Sequence, residues 1–351
     1  MVIDFLIVGQ GLAGSLLAWE LIRRGHKVVV IDDGKENASQ IAAGLINPVT
    51  GMRLVKSAEV DELLPAAKQC YTQLGRFFQQ DFYVEKPMLR LLSGDNEFKQ
   101  AQKRLNQLGY HAYLGALYPP EKRHADFASP YGFLEQKQTG YLLTRPLLNC
   151  LKSFFMAKGC YQPVEFQTED VRFMPVLRWL DITPKQIIFC EGYQAIKNPW
   201  FSWLPFQPVK GEILTLEHQY NLPDAIINYG NWLIPLTKKT FRIGATFYHE
   251  TLDNVPTEQG KSALLNALNA VLSPSPIALT GHHANVRPCT LDKRPFIGIH
   301  PHYPQLAIFN GFGAKGSLQI PWHSQRFADS LSHGSQPPSA IQRYYATHFT
   351  G

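Results

Sequence analysis

The chain has 351 residues, 45% of them hydrophobic and 18% charged, and a formal net charge of +6. Those figures exclude a disordered or collagen-like chain and suit two intertwined domains. The positive charge is spread out rather than gathered in a block, so an anionic ligand accounts for part of it and a nucleic-acid partner is neither required nor excluded.

The five cysteines, Cys70, Cys150, Cys160, Cys190 and Cys289, are odd in number and include no CxxC pair. A reducing, cytoplasmic setting is expected from that pattern. The apolar N-terminus lacks the basic region of a signal peptide. No apolar stretch approaches the ~20 residues that cross a bilayer, so no membrane partner is expected.

Along the chain, the apolar run Phe5-Leu6-Ile7-Val8 reads as a buried strand and leads into Gly9-Gln10-Gly11-Leu12-Ala13-Gly14. A helix follows, with Leu16, Leu17, Leu21 and Ile22 as its apolar stripe and Gly25 as its stop. A second strand, Val28 to Ile31, ends in Asp32 and Asp33. Strand, glycine turn, helix, strand and acid together make a dinucleotide-binding fingerprint. Gly9 allows the tight turn, Gly11 lets the backbone approach a pyrophosphate, and Gly14 lets the helix pack on the sheet. The helix N-terminus offers free N–H groups to phosphate. Asp32 is placed to accept hydrogen bonds from a ribose.

Residues 38–57 are small and glycine-rich and do not read as a packed amphipathic helix, whereas 60–80 do show helical periodicity. Residues 81–140 alternate short strands with a charged helix near 96–108, in which Glu97 to Arg104 reads as a solvated face. Residues 141–160 read as helix, and Val171-Arg172-Phe173 and Ile187 to Cys190 as strands, the second running into Glu191-Gly192. A strand-rich stretch follows, at Pro208 to Leu214, Trp232 to Pro235 and Phe241 to Thr246, then an amphipathic helix over 257–272. Leu306 to Phe309 leads into a second glycine loop, Gly311-Phe312-Gly313-Ala314-Lys315-Gly316, and a helix from about Ser317 to Ser332. Too little chain remains for a second dinucleotide domain, but the helix N-terminus there favours negative charge. His282-His283 and His300-Pro301-His302 read as exposed loop histidines, and no metal is expected.

In this order, and over nearly the whole chain, the segments resemble the D-amino-acid oxidase/glycine oxidase superfamily of FAD-dependent oxidoreductases. The carrying motifs are the N-terminal fingerprint with Asp32, Ser39 to Gly44, Phe189-Cys190-Glu191-Gly192, Pro208 to Glu212, Leu233-Ile234-Pro235 with Ile243 to Thr246, and Val286-Arg287-Pro288 with Asp292, Pro295 and Gly298. The Gly44 to Pro48 run and the last glycine loop are similar to the oxidase domain of the bifunctional enzyme that modifies the tRNA wobble uridine.

The resemblance implies an α/β fold: an FAD-binding Rossmann-like βαβ domain (1–80, 141–205 and 286–351) plus a mostly antiparallel β-sheet substrate domain (81–140 and 206–285), glycine oxidase-like. It implies cofactor contacts at Gly9, Gly11, Leu12, Ala13, Gly14, Asp32, Asp33, Ser39, Ala42, Ala43, Gly44, Leu45, Val171, Gly192, Gly313, Ala314, Lys315, Gly316 and Ser317. Asn285 stands where sarcosine oxidases carry the cysteine that bonds the flavin, so the FAD is expected to be non-covalent. Arg287 takes the place of the substrate-carboxylate ligand, a task suited to the guanidinium fork. Trp232 takes the place of an aromatic residue over the substrate, and Lys315 is expected to face the flavin edge or the substrate mouth.

The implied activity is oxidation of the C–N bond of a small amino acid or N-substituted glycine by hydride transfer to flavin N5. The alternatives are removal of a carboxymethyl group from a modified tRNA wobble uridine, and an FAD-binding scaffold without catalysis. No acid or base is singled out, because the cofactor carries the chemistry and orientation supplies the acceleration.

Overall fold

The computed structural model describes residues 1–120, 127–272, 274–334 and 341–349. The parts of the predicted segments at 121–126, 273, 335–340 and 350–351 lie outside the described residues. The chain opens with β1 (Val2–Val8), α1 (Leu12–Arg23) and β2 (Val28–Asp32). The one-turn α2 (Ala38–Ile41), the two-residue strands β3 (Leu45–Ile46), β4 (Val49–Thr50) and β5 (Val55–Lys56), and the long α3 (Val60–Phe78) follow. Next come β6 (Tyr83–Glu85), β7 (Met88–Leu91), α4 (Asp95–Leu105), β8 (Leu114–Tyr118), β9 (Phe133–Gln136) and β10 (Gly140–Leu142). Then α5 (Thr144–Ala157), β11 (Tyr161–Pro163), β12 (Val171–Arg172), β13 (Arg178–Trp179) and β14 (Thr183–Phe189). A strand-rich stretch holds β15 (Val209–His218), β16 (Ile226–Asn228), β17 (Trp232–Pro235), β18 (Thr240–Gly244), α6 (Glu258–Asn269) and β19 (Ile277–Arg287). The last part is β20 (Phe296–Ile299), β21 (Leu306–Asn310), α7 (Gly316–His333) and α8 (Gln342–Phe349).

Two large sheets organise these elements. The first runs β11-β2-β1-β14-β21-β20 and is parallel except for β20, which pairs antiparallel with β21. Its strands are apolar on both sides because both faces are covered. Phe5, Ile7 and Val30 belong to one core with Leu16 and Leu17 of α1, Leu74 of α3 and Phe327 of α7. Leu6, Val8 and Ile31 belong to the opposite core with Phe189, Trp179 and Phe201. The α/β reading therefore holds at the level of the sheet.

The second sheet runs β19-β15-β18-β17-β16-β7-β9-β8 and is antiparallel except for β16 with β7. Alternation along its strands sorts the side chains onto two faces. Leu214, Leu233, Phe241 and Ile243 pack against Leu264 and Leu268 of α6. Direct pairing puts Trp232 beside Gly244, Gly244 beside Ile213, Ile213 beside His283, and Gly211 beside Asn285, all on the other face. That face meets the segment after β2: the Asn285 side chain donates to Glu36 O at 3.3 Å, and Arg242 Nη2 donates to Ile41 O at 2.6 Å.

Three sequence readings need correcting. Glu97 is buried on α4: Arg90 Nε donates to it at 2.6 Å and the Ser93 hydroxyl at 2.7 Å. His282 and His283 lie on strand β19, not in a loop, and His282 Nε2 is 2.7 Å from the buried Glu212. His300 is buried, and its Nδ1 accepts the backbone N–H groups of His302 and Tyr303. Burial pushes its imidazole down to about 4. The five cysteines are free. Among the described residues, no helix is long and apolar enough to cross a membrane, and no group of three His, Cys, Asp or Glu could hold a metal.

Removing one partner of a buried ion pair strands the other, so Glu97→Ala is expected to cost about 3–5 kcal/mol in denaturant unfolding. A midpoint equal to the wild type's would return Glu97 to the surface. His300 binds its proton more weakly folded than unfolded. Its contribution to stability is therefore present above about pH 6.5 and lost as pH falls through about 4. The loss is expected to flatten in His300→Asn when unfolding is measured across that window; an unchanged pH profile contradicts it.

Candidate active site

The C-terminal ends of β2, β1 and β14 bring three loops together, the arrangement in which a doubly wound sheet presents a ligand crevice. Gly9 has φ of +105°, and a Cβ there would stand 2.6 Å from Cys190 O. A Cβ on Gly14 would stand 2.0 Å from Gly9 O. On Gly11 it would be 3.3 Å from Ser39 Oγ, a looser contact. Asn37 and Gln40 form a reciprocal capping box on α2, which sets Ser39 against the start of α1. The Leu12 N–H donates to Ser39 Oγ at 3.0 Å.

Asp32 accepts the Gln10 and Gly34 N–H groups, both at 2.8 Å, and burial raises its pKa. Asp33 turns away and pairs with Lys35 at 3.0 Å. Val171 lies in the apolar core shared with Ile31 and Phe189. Ala42 O accepts from the Thr144 hydroxyl at 3.3 Å, and a Cβ on Gly44 would stand 2.0 Å from Leu142 O, so Ala42 to Leu45 lie flat against β10. Gly192 O accepts from Asn310, which joins the ends of β14 and β21. Beside it, burial pushes Glu191 up to about 7 against the opposing hydrogen bond from Asn198.

The second glycine loop packs on the segment that follows β19. The Gly313 N–H donates to Pro288 O at 3.2 Å, and a Cβ on Gly311 would stand 2.8 Å from Thr290. Ala314 is exposed, Gly316 is part-exposed, and Ser317 is buried with its carbonyl held by Tyr71 at 2.7 Å. Lys315 is not a free surface lysine. Its Nζ reaches Ser57 Oγ at 2.8 Å and Thr50 Oγ1 at 3.4 Å, and burial, followed by Lys293, lowers its pKa.

Arg287 ends β19. Its guanidinium lies across Gly211 of β15, where a Cβ would stand 1.8 Å from Nη2. Nη2 donates to Thr246 O at 3.2 Å, and the Phe247 ring covers the guanidinium at 4.5 Å. Among the described residues Nη1 is buried without a partner, and burial lowers the pKa of the group. Trp232 lies on the same sheet face, its ring over Gly244.

The segment carrying Thr246 and Phe247 is tied down from the opposite side of β15. Lys210 Nζ donates to Asp253 at 2.5 Å and Val255 O at 2.6 Å, while Glu212 accepts the Thr257 N–H at 2.9 Å and its hydroxyl at 2.7 Å. The sequence reading did not assign a role to Gly211 or Phe247. A lone glycine inside a strand is the one local sign of such a close approach.

The chain matches the family model of FAD dependent oxidoreductases (DAO) over residues 4–330. It belongs to this family. A glycine oxidase of Pseudomonas aeruginosa is 30% identical over 95% of both chains. The tRNA 5-methylaminomethyl-2-thiouridine biosynthesis bifunctional protein MnmC of Acinetobacter baylyi is 22% identical over 96% of this chain, which spans 54% of that protein. The structure of a glycine oxidase from Bacillus cereus superposes with a TM-score of 0.81 at 21% identity, covering 95% of this chain and 96% of that one. An iminodiacetate oxidase from Chelativorans sp. BNC1 gives 0.79 at 19%, covering 97% and 98%. The protein is an FAD-dependent oxidoreductase, and the cradle fits that cofactor: Gly9 and Gly14 leave no room for a Cβ, and no acidic residue stands in the first turn of α1.

Gly11→Val in the FAD-dependent enzyme is expected to keep the fold, since the Ser39 side chain can yield, and to lose the flavin. Acid precipitation followed by absorbance of the supernatant reads this, and full FAD occupancy overturns the assignment. In Gly14→Ala the clash is with backbone, and unfolding is expected to be easier by about 1–3 kcal/mol.

Proposed function

We propose that the protein oxidises the C–N bond of a small amino acid or N-substituted glycine, with Arg287 holding the substrate carboxylate. The observation that carries this reading is the buried, unpaired Nη1 of Arg287. An unsatisfied buried donor costs about 1–3 kcal/mol, more on a charged group, and a carboxylate relieves it through two parallel bonds. Relatives named glycine oxidase and iminodiacetate oxidase support a glycine skeleton whose nitrogen is free or substituted.

FAD, when bound, supplies the acceptor for the hydride leaving the substrate Cα. The remaining work falls to the chain. Gly9, Gly11, Gly14 and the α1 N-terminus would hold the pyrophosphate, Asp32 the adenosine ribose, and Ser39 to Leu45 the path beside it, all without a covalent bond. Arg287 fixes one end of the substrate while Trp232 walls the other, so that the Cα–H is oriented before it reacts. The neutral amine pushes as hydride leaves, and water hydrolyses the released imine. Lys315 and the N-terminus of α7 would favour negative charge developing at the flavin edge.

The similarity to MnmC over nearly this whole chain supports a second reading, in which the substituted nitrogen belongs to a carboxymethylamino group on tRNA. Arg287 would then hold the same carboxylate. A non-catalytic scaffold is disfavoured, because it leaves the buried cation uncompensated.

Arg287→Met is expected to lower kcat/KM for the carboxylate substrate by at least about tenfold, the equivalent of 1.4 kcal/mol, with the flavin spectrum nearly unchanged. Equal kcat/KM in the variant moves the carboxylate elsewhere. Lys315→Met is expected to lower the flavin midpoint potential and slow reduction in a redox titration and stopped-flow pair. Indistinguishable potentials with the same rate leave Lys315 only as the link to Ser57.

A further inference from the structure

We propose that the enzyme carries a second ligand site, for a small oxyanion with a short apolar body, in the cleft where α5 meets the second sheet. Arg242 and Arg145 are its cationic groups. The cleft has a volume of about 240 Å³, and its lining includes Tyr141, Arg145, Thr215, Ile234, Arg242 and His283. It is distinct from the carboxylate site. Arg242 of β18 pairs with Thr215 of β15, whereas the Arg287 guanidinium lies over Gly211, four residues away along the same strand. Four residues of strand span roughly 13 Å.

The charges in the cleft do not balance. Arg145 pairs with Glu36, and the other oxygen of Glu36 stands 4.0 Å from His283 Nδ1. Arg242 has no carboxylate partner among the described residues. Nη2 donates to Ile41 O at 2.6 Å and Nη1 to Ala42 O at 3.4 Å. A guanidinium carries five N–H donors, so three remain for a ligand. Two guanidinium groups therefore face one carboxylate, and burial together with repulsion from Arg145 pushes Arg242 down to about 10. An oxyanion seated between the two arginines removes both costs. Its two oxygens match the free edge of the Arg242 fork, and Tyr141 and Ile234 give an apolar body a wall.

The site is coupled to the cofactor cradle through its own hydrogen bonds. Ile41 and Ala42, whose carbonyls hold Arg242, belong to the segment that continues from Ser39 past the start of α1. A ligand that draws the guanidinium toward the cleft changes those two bonds. By linkage, its binding and that of FAD then alter one another by the same factor.

The test is calorimetric titration of the holoenzyme with phenyl phosphate and, in a second arm, benzoate, which separates a phosphate ligand from a carboxylate one. Both arms use wild type, Arg287→Met and Arg242→Met. Binding of one probe is expected to survive Arg287→Met and to weaken about tenfold or more in Arg242→Met, the loss of a charge-assisted pair. Arg145→Gln, at a half-exposed position, is expected to weaken the same probe and serves if Arg242→Met fails to fold. FAD affinity, read by flavin fluorescence, is expected to shift when the probe is present. The proposal is overturned if neither probe binds at millimolar concentration, if Arg242→Met and Arg145→Gln both bind as wild type does, or if Arg287→Met abolishes binding. The last result assigns the probe to the substrate site and leaves the reading of Arg287 intact.

Discussion

At Gly9, Gly14 and Gly211 another group occupies the space that a side chain's first carbon would fill. An added Cβ would stand 2.6 Å from Cys190 O, 2.0 Å from Gly9 O and 1.8 Å from Arg287 Nη2. The first two contacts let α1 start directly over the ends of β1 and β14, where a phosphate can meet its N–H groups. The third lets a cation lie flat on the opposite sheet. Backbone fills the space at Gly9 and Gly14 and cannot step aside, whereas at Gly211 the guanidinium itself fills it, so a side chain there would displace the cation. The crevice and the facing cation share this constraint, although they stand on different sheets.

The two faces of β15 divide the labour of placing Arg287. Gly211 gives Arg287 its place on one face, and the neighbouring Lys210 and Glu212 turn to the other, where they hold Asp253, Val255 and Thr257. That anchoring keeps Thr246 O and the Phe247 ring against the guanidinium. One of its five N–H donors is thus committed and its face is covered, and Nη1 is buried without a partner among the described residues. Pro288 to Thr290, which follow Arg287, pack on the second glycine loop, so Arg287 and the N-terminus of α7 are placed by one short stretch of chain.

The sequence was most legible where structure is local. The βαβ unit, the strand Trp232–Pro235 and the helix after the second glycine loop follow from periodicity and turn residues within a few positions. The family resemblance singled out Arg287 and Lys315, and both stand in partly buried settings without a carboxylate partner among the described residues. What escaped were burial and contacts that form only on folding, some of them between distant residues. Glu97 and His300 read as polar and exposed because Ser93 and Arg90, or the turn at Tyr303, satisfy them only after folding. Arg242 sits in an ordinary alternating strand, and nothing nearby in sequence points to the carbonyls of Ile41 and Ala42, 200 residues away. His282 finds Glu212 in the same way, across two strands paired over their full length.

The central claim is that a carboxylate, and not merely an amine, selects what this flavin oxidises. Anaerobic flavin bleaching with glycine, sarcosine, proline and iminodiacetate, each beside its carboxamide, tests it most directly. The account predicts full bleaching by at least one of the acids and far slower bleaching by the matching amide, which cannot pair with the Arg287 guanidinium as an anion. Bleaching at the same rate by an acid and its amide, or by none of the eight compounds, would contradict it.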